Sequence, residues 1–253
     1  MIVTFLGTGT STGVPVPTCD CAVCRSTDPR DKRLRPSVLL TWDGGVVLID
    51  TGTDLRRQAL DHGLKRIDAV LYTHAHADHI FGLDEIRLFN WRQGRAMPVY
   101  GSAVTLAAIR RTFWYVFEDV EAGGGKPLLE LHEIDGPFPL LGREIVPVPL
   151  EHGRLPVTGW RVGGLAYLTD VSAIPPASYA LLEGLELLVI SALRIRPHPT
   201  HMHLSRALEE VARIGAKRTL LTHIAHEIAH AEIDPTLPEG VRLAYDGLVV
   251  EVP

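Results

Sequence analysis

Cysteine is scarce in this sequence and confined to one short segment. The 253 residues contain three cysteines, Cys19, Cys21 and Cys24. An odd number of cysteines at such short spacing does not build the disulfide framework of small secreted proteins. We therefore expect these thiols to be reduced and to ligate a metal.

Long apolar runs and an excess of basic residues are also absent. No stretch approaches the roughly 18 apolar residues of a membrane helix, and residues 1–7 lack the charged start and long apolar centre of a secretion signal. The formal net charge is -5, whereas proteins that coat nucleic acid usually show a basic domain or stripe. We expect a cytoplasmic protein that acts on a small molecule and not on membranes. The charge disfavours nucleic acid as a partner without excluding a local basic groove, and the sequence leaves a homodimer open.

The order of apolar segments predicts an α/β fold. An apolar strand at 2–6 is followed by two more at 37–41 and 46–50, which an Asp-Gly-Gly turn joins as a hairpin. Strands and helices then alternate, in two successive series, as far as residue 221. This doubled pattern predicts a four-layer αββα sandwich of two mixed β-sheets flanked by helices. Without a linker or a repeat, we predict one domain over 1–253, with a Cys-rich insertion at about 14–35.

One segment combines four residues that commonly ligate metals. His74, His76, Asp78 and His79 follow an apolar strand at 68–72 and lead into a predicted helix at 78–89. Imidazole nitrogens and carboxylate oxygens suit zinc, manganese or iron. Because the first two histidines are two residues apart in an extended segment, their side chains point the same way. The next two ligands, at the start of the helix, can turn toward a neighbouring metal position. The segment therefore predicts a site for two metal ions.

The cysteine segment predicts a separate metal site. Its three thiolates are one short of a tetrahedral set, and His226 is a candidate fourth ligand. A closed site of four ligands would stabilise a loop that is poor in regular structure. We expect a structural zinc here rather than a catalytic one.

The His-x-His-x-Asp-His pattern resembles the hallmark of the metallo-β-lactamase superfamily. The Cys-x-Cys-x-x-Cys insertion is similar to the one in the phosphoribosyl 1,2-cyclic phosphate phosphodiesterase branch of this superfamily. This resemblance implies that the cysteines bind a structural zinc. The resemblance implies that His152, Asp170 and His223, each after an apolar strand, complete the catalytic ligands. One metal would then bind His74, His76, His152 and Asp170, and the other would bind Asp78, His79, Asp170 and His223.

The same resemblance assigns roles around the metals. It implies that His201 protonates the leaving group, as a histidine with an ordinary pKa near 6.5 can do, and it places Asp78 in the catalytic machinery. Asp50 resembles a residue that orients a ligand histidine. We interpret His203 as a helix-capping or surface residue. His62, His132, His198 and His230 are predicted to have ordinary polar or packing roles.

The implied function is a metal-dependent phosphodiesterase. It would hydrolyse a small cyclic phosphate, phosphoribosyl 1,2-cyclic phosphate or a cyclic nucleotide, with two catalytic zinc or manganese ions that activate water. Two alternatives remain: a nuclease that processes the 3′ end of tRNA, and a non-catalytic cofactor carrier of the pyrroloquinoline quinone synthesis type.

Overall fold

Two seven-stranded β-sheets form the centre of the structure, a computed structural model that describes residues 1–119 and 125–253. The first sheet has the order β14-β1-β2-β3-β4-β5-β6 and the second β13-β12-β11-β10-β9-β8-β7. The strands are β1 (Ile2–Gly7), β2 (Ser37–Trp42), β3 (Gly45–Ile49), β4 (Ala69–Leu71), β5 (Met97–Gly101), β6 (Leu129–Glu133), β7 (Phe138–Leu140), β8 (Arg143–His152), β9 (Leu155–Val162), β10 (Leu165–Leu168), β11 (Leu187–Ser191), β12 (Arg218–Thr222), β13 (Val241–Leu243) and β14 (Val249–Glu251). Each sheet contains both parallel and antiparallel pairs, so both are mixed.

Helices cover the outer face of each sheet. They are α1 (Ala22–Arg25), α2 (Leu55–Asp61), α3 (Ala77–Ile80), α4 (Ile86–Gln93), α5 (Ala103–Thr112), α6 (Trp114–Phe117), α7 (Leu204–Ile214) and α8 (His230–Ile233). Apolar residues of α2, α4 and α5 pack on the first sheet, and those of α7 pack on the second. The predicted four-layer sandwich of two mixed sheets is confirmed. Among the described residues, no helix is long and apolar enough to cross a membrane.

Alternation along the buried strands explains why the layers stack in this order. Successive side chains of a strand point to opposite faces of its sheet. In β3, Ile49 packs between the two sheets with Trp160 and Tyr167, whereas Leu48 packs toward the helices with Leu55. All five side chains are fully buried, and burial of each of the three aliphatic ones stabilises the fold by roughly 1.5–3 kcal/mol. The strands are apolar on both faces because helices cover the second face.

The segment predicted as a helix from 78 to 89 is broken in the structure, so that prediction is wrong. It forms α3, a 3-10 turn at Leu83–Glu85, and then α4. The break falls at Gly82, where a Cβ atom would lie 2.1 Å from the carbonyl oxygen of Gly52. Only glycine permits so close an approach of two backbone segments. Residues Pro176–Leu182 likewise form a 3-10 turn, with prolines at 175 and 176 at its start.

The strand ends place the predicted site residues at one edge of the sandwich. The parallel strands β10, β11 and β12 all end at this edge, and ligands of α/β folds commonly bind beyond the carboxyl ends of such strands. Asp170 and His223 follow β10 and β12, and His152 ends β8. From the first sheet, β4 delivers His74 to the same edge.

Candidate metal centre

The segment that joins β4 to α3 supplies four polar side chains to the centre. His76 has extended backbone angles and is the N-cap residue of α3, so Asp78 and His79 fall in the first turn of that helix. His74, Asp78 and His79 are buried, whereas His76 is exposed. The change from extended to helical backbone turns the later pair away from the earlier one.

The structure brings the predicted catalytic ligands together in two groups. His74, His76, His152 and Asp170 offer ligand atoms within 4.8 Å of one another, and so do Asp78, His79, Asp170 and His223. Asp170 belongs to both groups because its two oxygens face different partners. Its Oδ1 lies 3.3 Å from His79 Nε2 and 3.1 Å from His223 Nε2, while its Oδ2 lies 3.7 Å from His74 Nε2.

These separations match ligands that share an ion. Two ligand atoms that each lie about 2.1 Å from one tetrahedral ion are about 3.4 Å apart. The Nε2 atoms of His79 and His223 also lie 3.4 Å and 3.5 Å from Asp78 Oδ2. The second group therefore has the dimensions of a single metal position.

Several atoms of the centre are buried without hydrogen-bond partners. Among the described residues they include the Nε2 atoms of His74, His79 and His223 and the Oδ2 atom of Asp78. A buried polar atom left without a partner costs about 1–3 kcal/mol. One divalent cation in the first group would satisfy the His74 atom and another in the second group would satisfy the other three, so the residues present fit two metal ions.

In two of the candidate ligand histidines, a hydrogen bond holds Nδ1, the ring nitrogen other than the Nε2 atom that would bind the metal. His79 Nδ1–H donates to Asp50 Oδ2 at 2.7 Å, and His152 Nδ1–H donates to the Thr200 carbonyl at 2.6 Å. Each bond fixes the tautomer in which Nε2 is free to bind a cation. Asp50 also accepts from the Thr73 amide at 2.9 Å and from the Thr73 hydroxyl at 2.7 Å.

Three residues of the centre have backbone angles in the left-handed region. The φ angles of Asp50, Asp170 and His223 are 63°, 55° and 57°. Such angles are uncommon outside glycine, although Asp and His tolerate them better than most residues. Each residue follows a buried strand, and the turn directs its side chain into the centre. Local strain of this kind concentrates at functional sites.

His201 lies over the centre without belonging to either group. Its ring centroid is 4.4 Å from that of His152 and 5.0 Å from that of His223, and its Nδ1 is 4.0 Å from Asp170 Oδ2. Burial, together with the charge of His223, lowers the pKa of His201 to about 3 in the metal-free chain. The ring is therefore neutral at pH 7 unless a nearby anion raises its pKa.

His203 is the N-cap residue of α7, but its side chain makes no capping hydrogen bond. Its predicted position at the helix start is correct, whereas side-chain capping is not observed. His198 was predicted to have an ordinary polar role, yet its ring lies 5.1 Å from that of His201. The signal that identifies it is its spacing of three from His201 in a loop, in the segment His-Pro-Thr-His.

The three cysteines and His226 form a third group of candidate ligands. The Sγ atoms of Cys19, Cys21 and Cys24 lie 3.2, 3.5 and 3.5 Å from His226 Nδ1. A tetrahedral zinc with bonds of about 2.3 Å to sulfur and 2.0–2.1 Å to nitrogen separates such atoms by about 3.6 Å. The geometry fits one zinc ion.

The thiols differ in their acidity. The Cys24 backbone N–H donates to Cys21 Sγ, and this bond is the main cause that lowers the pKa of Cys21 to about 6. Burial raises the pKa of Cys24 to about 11. A cation would offset the cost of ionising the buried thiol, because metal ligation deprotonates cysteine.

The fold and the arrangement at its edge define the class to which the chain belongs. Residues 46–224 match the model of the beta-lactamase superfamily domain. The chain belongs to this superfamily, and the resemblance inferred from the histidine pattern is confirmed.

Particular relatives narrow the comparison. The chain is 44% identical to a diphosphatase from the PhnP family, whose crystal structure superposes with a TM-score of 0.93 over 100% of this chain and 98% of that one. It is 41% identical to an octanoyltransferase of Porphyromonas gingivalis over 249 residues. The matched region is 96% of this chain but only 50% of that protein. The chain thus spans about half the length of this relative. A ribonuclease Z of Mycobacterium marinum is 28% identical over 264 residues, 92% of this chain and 89% of that protein.

Proposed function

We propose that this chain is a hydrolase that uses two divalent metal ions to cleave a P–O bond in a small phosphodiester or diphosphate. The observation that carries the proposal is Asp170, whose two oxygens face two separate groups of ligand atoms. A carboxylate can serve two cations in this way because each of its oxygens offers lone pairs. The similarity to a diphosphatase of the PhnP family supports phosphoryl chemistry.

Two divalent ions, when bound, would supply a nucleophilic water at neutral pH and offset the charge of the phosphoryl oxygens. The first would be held by His74, His76, His152 and Asp170, and the second by Asp78, His79, Asp170 and His223. Asp50 and the Thr200 carbonyl hold His79 and His152 in the tautomers that this binding requires.

His201 is positioned to protonate the leaving oxygen. An anionic substrate would favour the imidazolium form of this ring, which can donate the proton.

A cyclic phosphate remains the predicted substrate from the cysteine insertion, and the diphosphatase relative adds an acyclic diphosphate as a second candidate. Both contain a phosphorus atom with two ester or anhydride bonds, so one centre can cleave either. The structure has a third group of ligands that the metal chemistry does not use, and we assign it a structural zinc. We propose that the whole chain acts as one domain.

The test is metal analysis of the purified chain, followed by hydrolysis assays with a cyclic phosphate, a nucleoside diphosphate, bis(p-nitrophenyl) phosphate and precursor tRNA. His76→Ala should reduce hydrolysis by at least a hundredfold, because it removes a metal ligand. The fold should be unaffected, since the side chain of His76 is exposed and contributes little to the core. His132→Ala is the matched control, since His132 lies on β6 and Glu130 is the charged group that it contacts within the described part of the chain. Cleavage of precursor tRNA alone would favour the nuclease alternative, and an inactive chain that binds a quinone cofactor would favour the carrier.

A further inference from the structure

The loop of residues 192–203 between β11 and α7 brings a second histidine to the edge of the centre. His201 packs against His152 and His223. His198 packs against His201, with ring centroids 5.1 Å apart, and against no other histidine of the described residues. His198 therefore lies on the outer side of His201, farther from the metal positions.

The backbone of Thr200 fixes the orientation of His198. The Thr200 amide donates to His198 Nδ1 at 3.3 Å, and the Thr200 carbonyl accepts from His152 Nδ1 at 2.6 Å. Because His198 Nδ1 is an acceptor, the neutral ring carries its proton on Nε2. No described residue accepts a hydrogen bond from that Nε2–H. The backbone of one residue, Thr200, thus holds both His152 and His198 in place.

The loop around His198 carries two arginines, of which Arg196 is paired with Glu227 at 2.7 Å. The Arg194 guanidinium donates to the carbonyls of Arg196, at 3.1 Å, and Pro197, at 2.7 Å, and so braces the backbone that leads to His198. Burial lowers the pKa of His198, and the charge of Arg194 lowers it further. A neutral donor next to a fixed cation favours an anionic oxygen as its partner.

We propose that His198 contacts the leaving group of the substrate through Nε2–H and favours leaving groups that carry a negative charge. This inference rests on the proposed function. In that reaction the water releases one proton to bulk solvent and its oxygen bonds to phosphorus, while the P–O bond to the leaving group breaks with its electron pair on the leaving oxygen. His201 supplies the proton to that oxygen and is reprotonated from solvent. His201 contacts both Asp170 and His198, so a leaving group that takes its proton from His201 would come within reach of His198. Substrates whose leaving group is a phosphate, or bears one, gain this contact, whereas aryl alcohols do not.

The experiment compares His198→Ala, His198→Gln and the control His62→Ala in the metal-loaded chain at equal measured metal content. For hydrolysis of a nucleoside diphosphate, His198→Ala should lower kcat/KM about tenfold, the effect of one hydrogen bond to an anion. For bis(p-nitrophenyl) phosphate the change should stay below threefold. His198→Gln should recover most of the loss, because its amide N–H can replace Nε2–H. His62 lies at the end of α2, so its variant should match the unmodified chain.

A binding measurement separates this inference from the proposed function. The Kd of the non-hydrolysable α,β-methylene analogue of ADP, measured by calorimetry, should rise about tenfold in His198→Ala, whereas the Kd of AMP should change less than threefold. Equal losses for both substrates, or an unchanged Kd for the analogue, would overturn the role of His198. A chain that hydrolyses none of the phosphate substrates would instead contradict the proposed function, and the calorimetric comparison would still decide on His198.

Discussion

Asp50→Asn is the substitution that tests most directly how the protein prepares its metal centre. Asp50 is fully buried and uses both oxygens: Oδ1 accepts from the Thr73 amide, and Oδ2 accepts from the Thr73 hydroxyl and from His79 Nδ1–H. Asparagine has one acceptor oxygen. If that oxygen keeps the Thr73 amide, the new NH₂ group faces His79 Nδ1–H. To avoid two opposed donors, His79 must move its proton to Nε2, the atom that faces Asp78 and Asp170.

A proton on His79 Nε2 competes with a cation for the same lone pair. Loss of a partner that orients a metal-ligand histidine typically weakens metal binding by about 10–100-fold, which corresponds to about 1.4–2.7 kcal/mol. We expect this loss at the position formed by Asp78, His79, Asp170 and His223. The other metal position, formed by His74, His76, His152 and Asp170, should keep its ion at chelator concentrations that already remove the ion from this one.

The assay is metal content after dialysis against a graded series of chelator concentrations, combined with thermal unfolding with and without metal. The drop in unfolding temperature should be larger in the metal-loaded protein than in the stripped protein, because bound metal stabilises only the folded state. The φ angle of 63° does not confound the comparison, since asparagine tolerates left-handed backbone as well as aspartate does.

Asp68→Asn is the matched control. It makes the same change at a buried aspartate that accepts from the Val46 amide at 2.9 Å and, among the described residues, contacts no histidine of the centre. Its metal affinity should stay within about threefold of the unmodified chain. If Asp50→Asn held both ions as firmly as the control does, Asp50 would not orient His79, and the tautomer argument would be refuted.

Three further predictions concern other parts of the chain. Cys24→Ser should lower the metal content from three ions to two while turnover of the loaded catalytic centre stays within about threefold; retention of three ions would exclude the structural zinc. In metal-stripped protein at pH 7, iodoacetamide should modify Cys21 before Cys24, because their pKa values are about 6 and about 11, and mass spectrometry would contradict this if both reacted at one rate. Gly82→Ala should lower the free energy of unfolding by about 1–3 kcal/mol or more through the clash with Gly52, whereas Gly136→Ala, whose Cβ meets nothing within 4 Å, should change it little in denaturant unfolding.

The sequence was informative wherever a pattern was local. The strand before His74 and the extended spacing of His74 and His76 predicted the geometry of that segment, because a strand end and a helix start constrain neighbouring residues directly. The apolar strands before Asp170 and His223 were also recognisable. Their convergence was not, because it depends on pairing across 53 residues of sequence, and the resemblance to a family supplied it.

The failures have a different physical cause. The break at Gly82 depends on the approach of Gly52, and the position of His198 depends on a hydrogen bond from the Thr200 backbone. The first is a tertiary contact of the main chain, which carries no residue pattern, whereas the second is a local bond between residues two apart. His198 lacks an apolar strand before it, the signal that marked the other site residues.

The short segment that follows β12 connects the two kinds of metal site. His223 enters the catalytic centre, and His226 lies against the three thiols. Between them, Ile224 N–H donates to the Thr8 carbonyl, and its own carbonyl accepts from Thr10 N–H, which secures the segment to the loop after β1. A zinc ion at His226 would therefore hold one end of the segment 223–226. At the other end, the backbone of His223, with φ of 57°, directs its side chain toward Asp170. Loss of that zinc would free His226 and let the strained backbone of His223 relax. We expect the cost to fall on the affinity of the catalytic centre for its second ion, and turnover at saturating metal to remain.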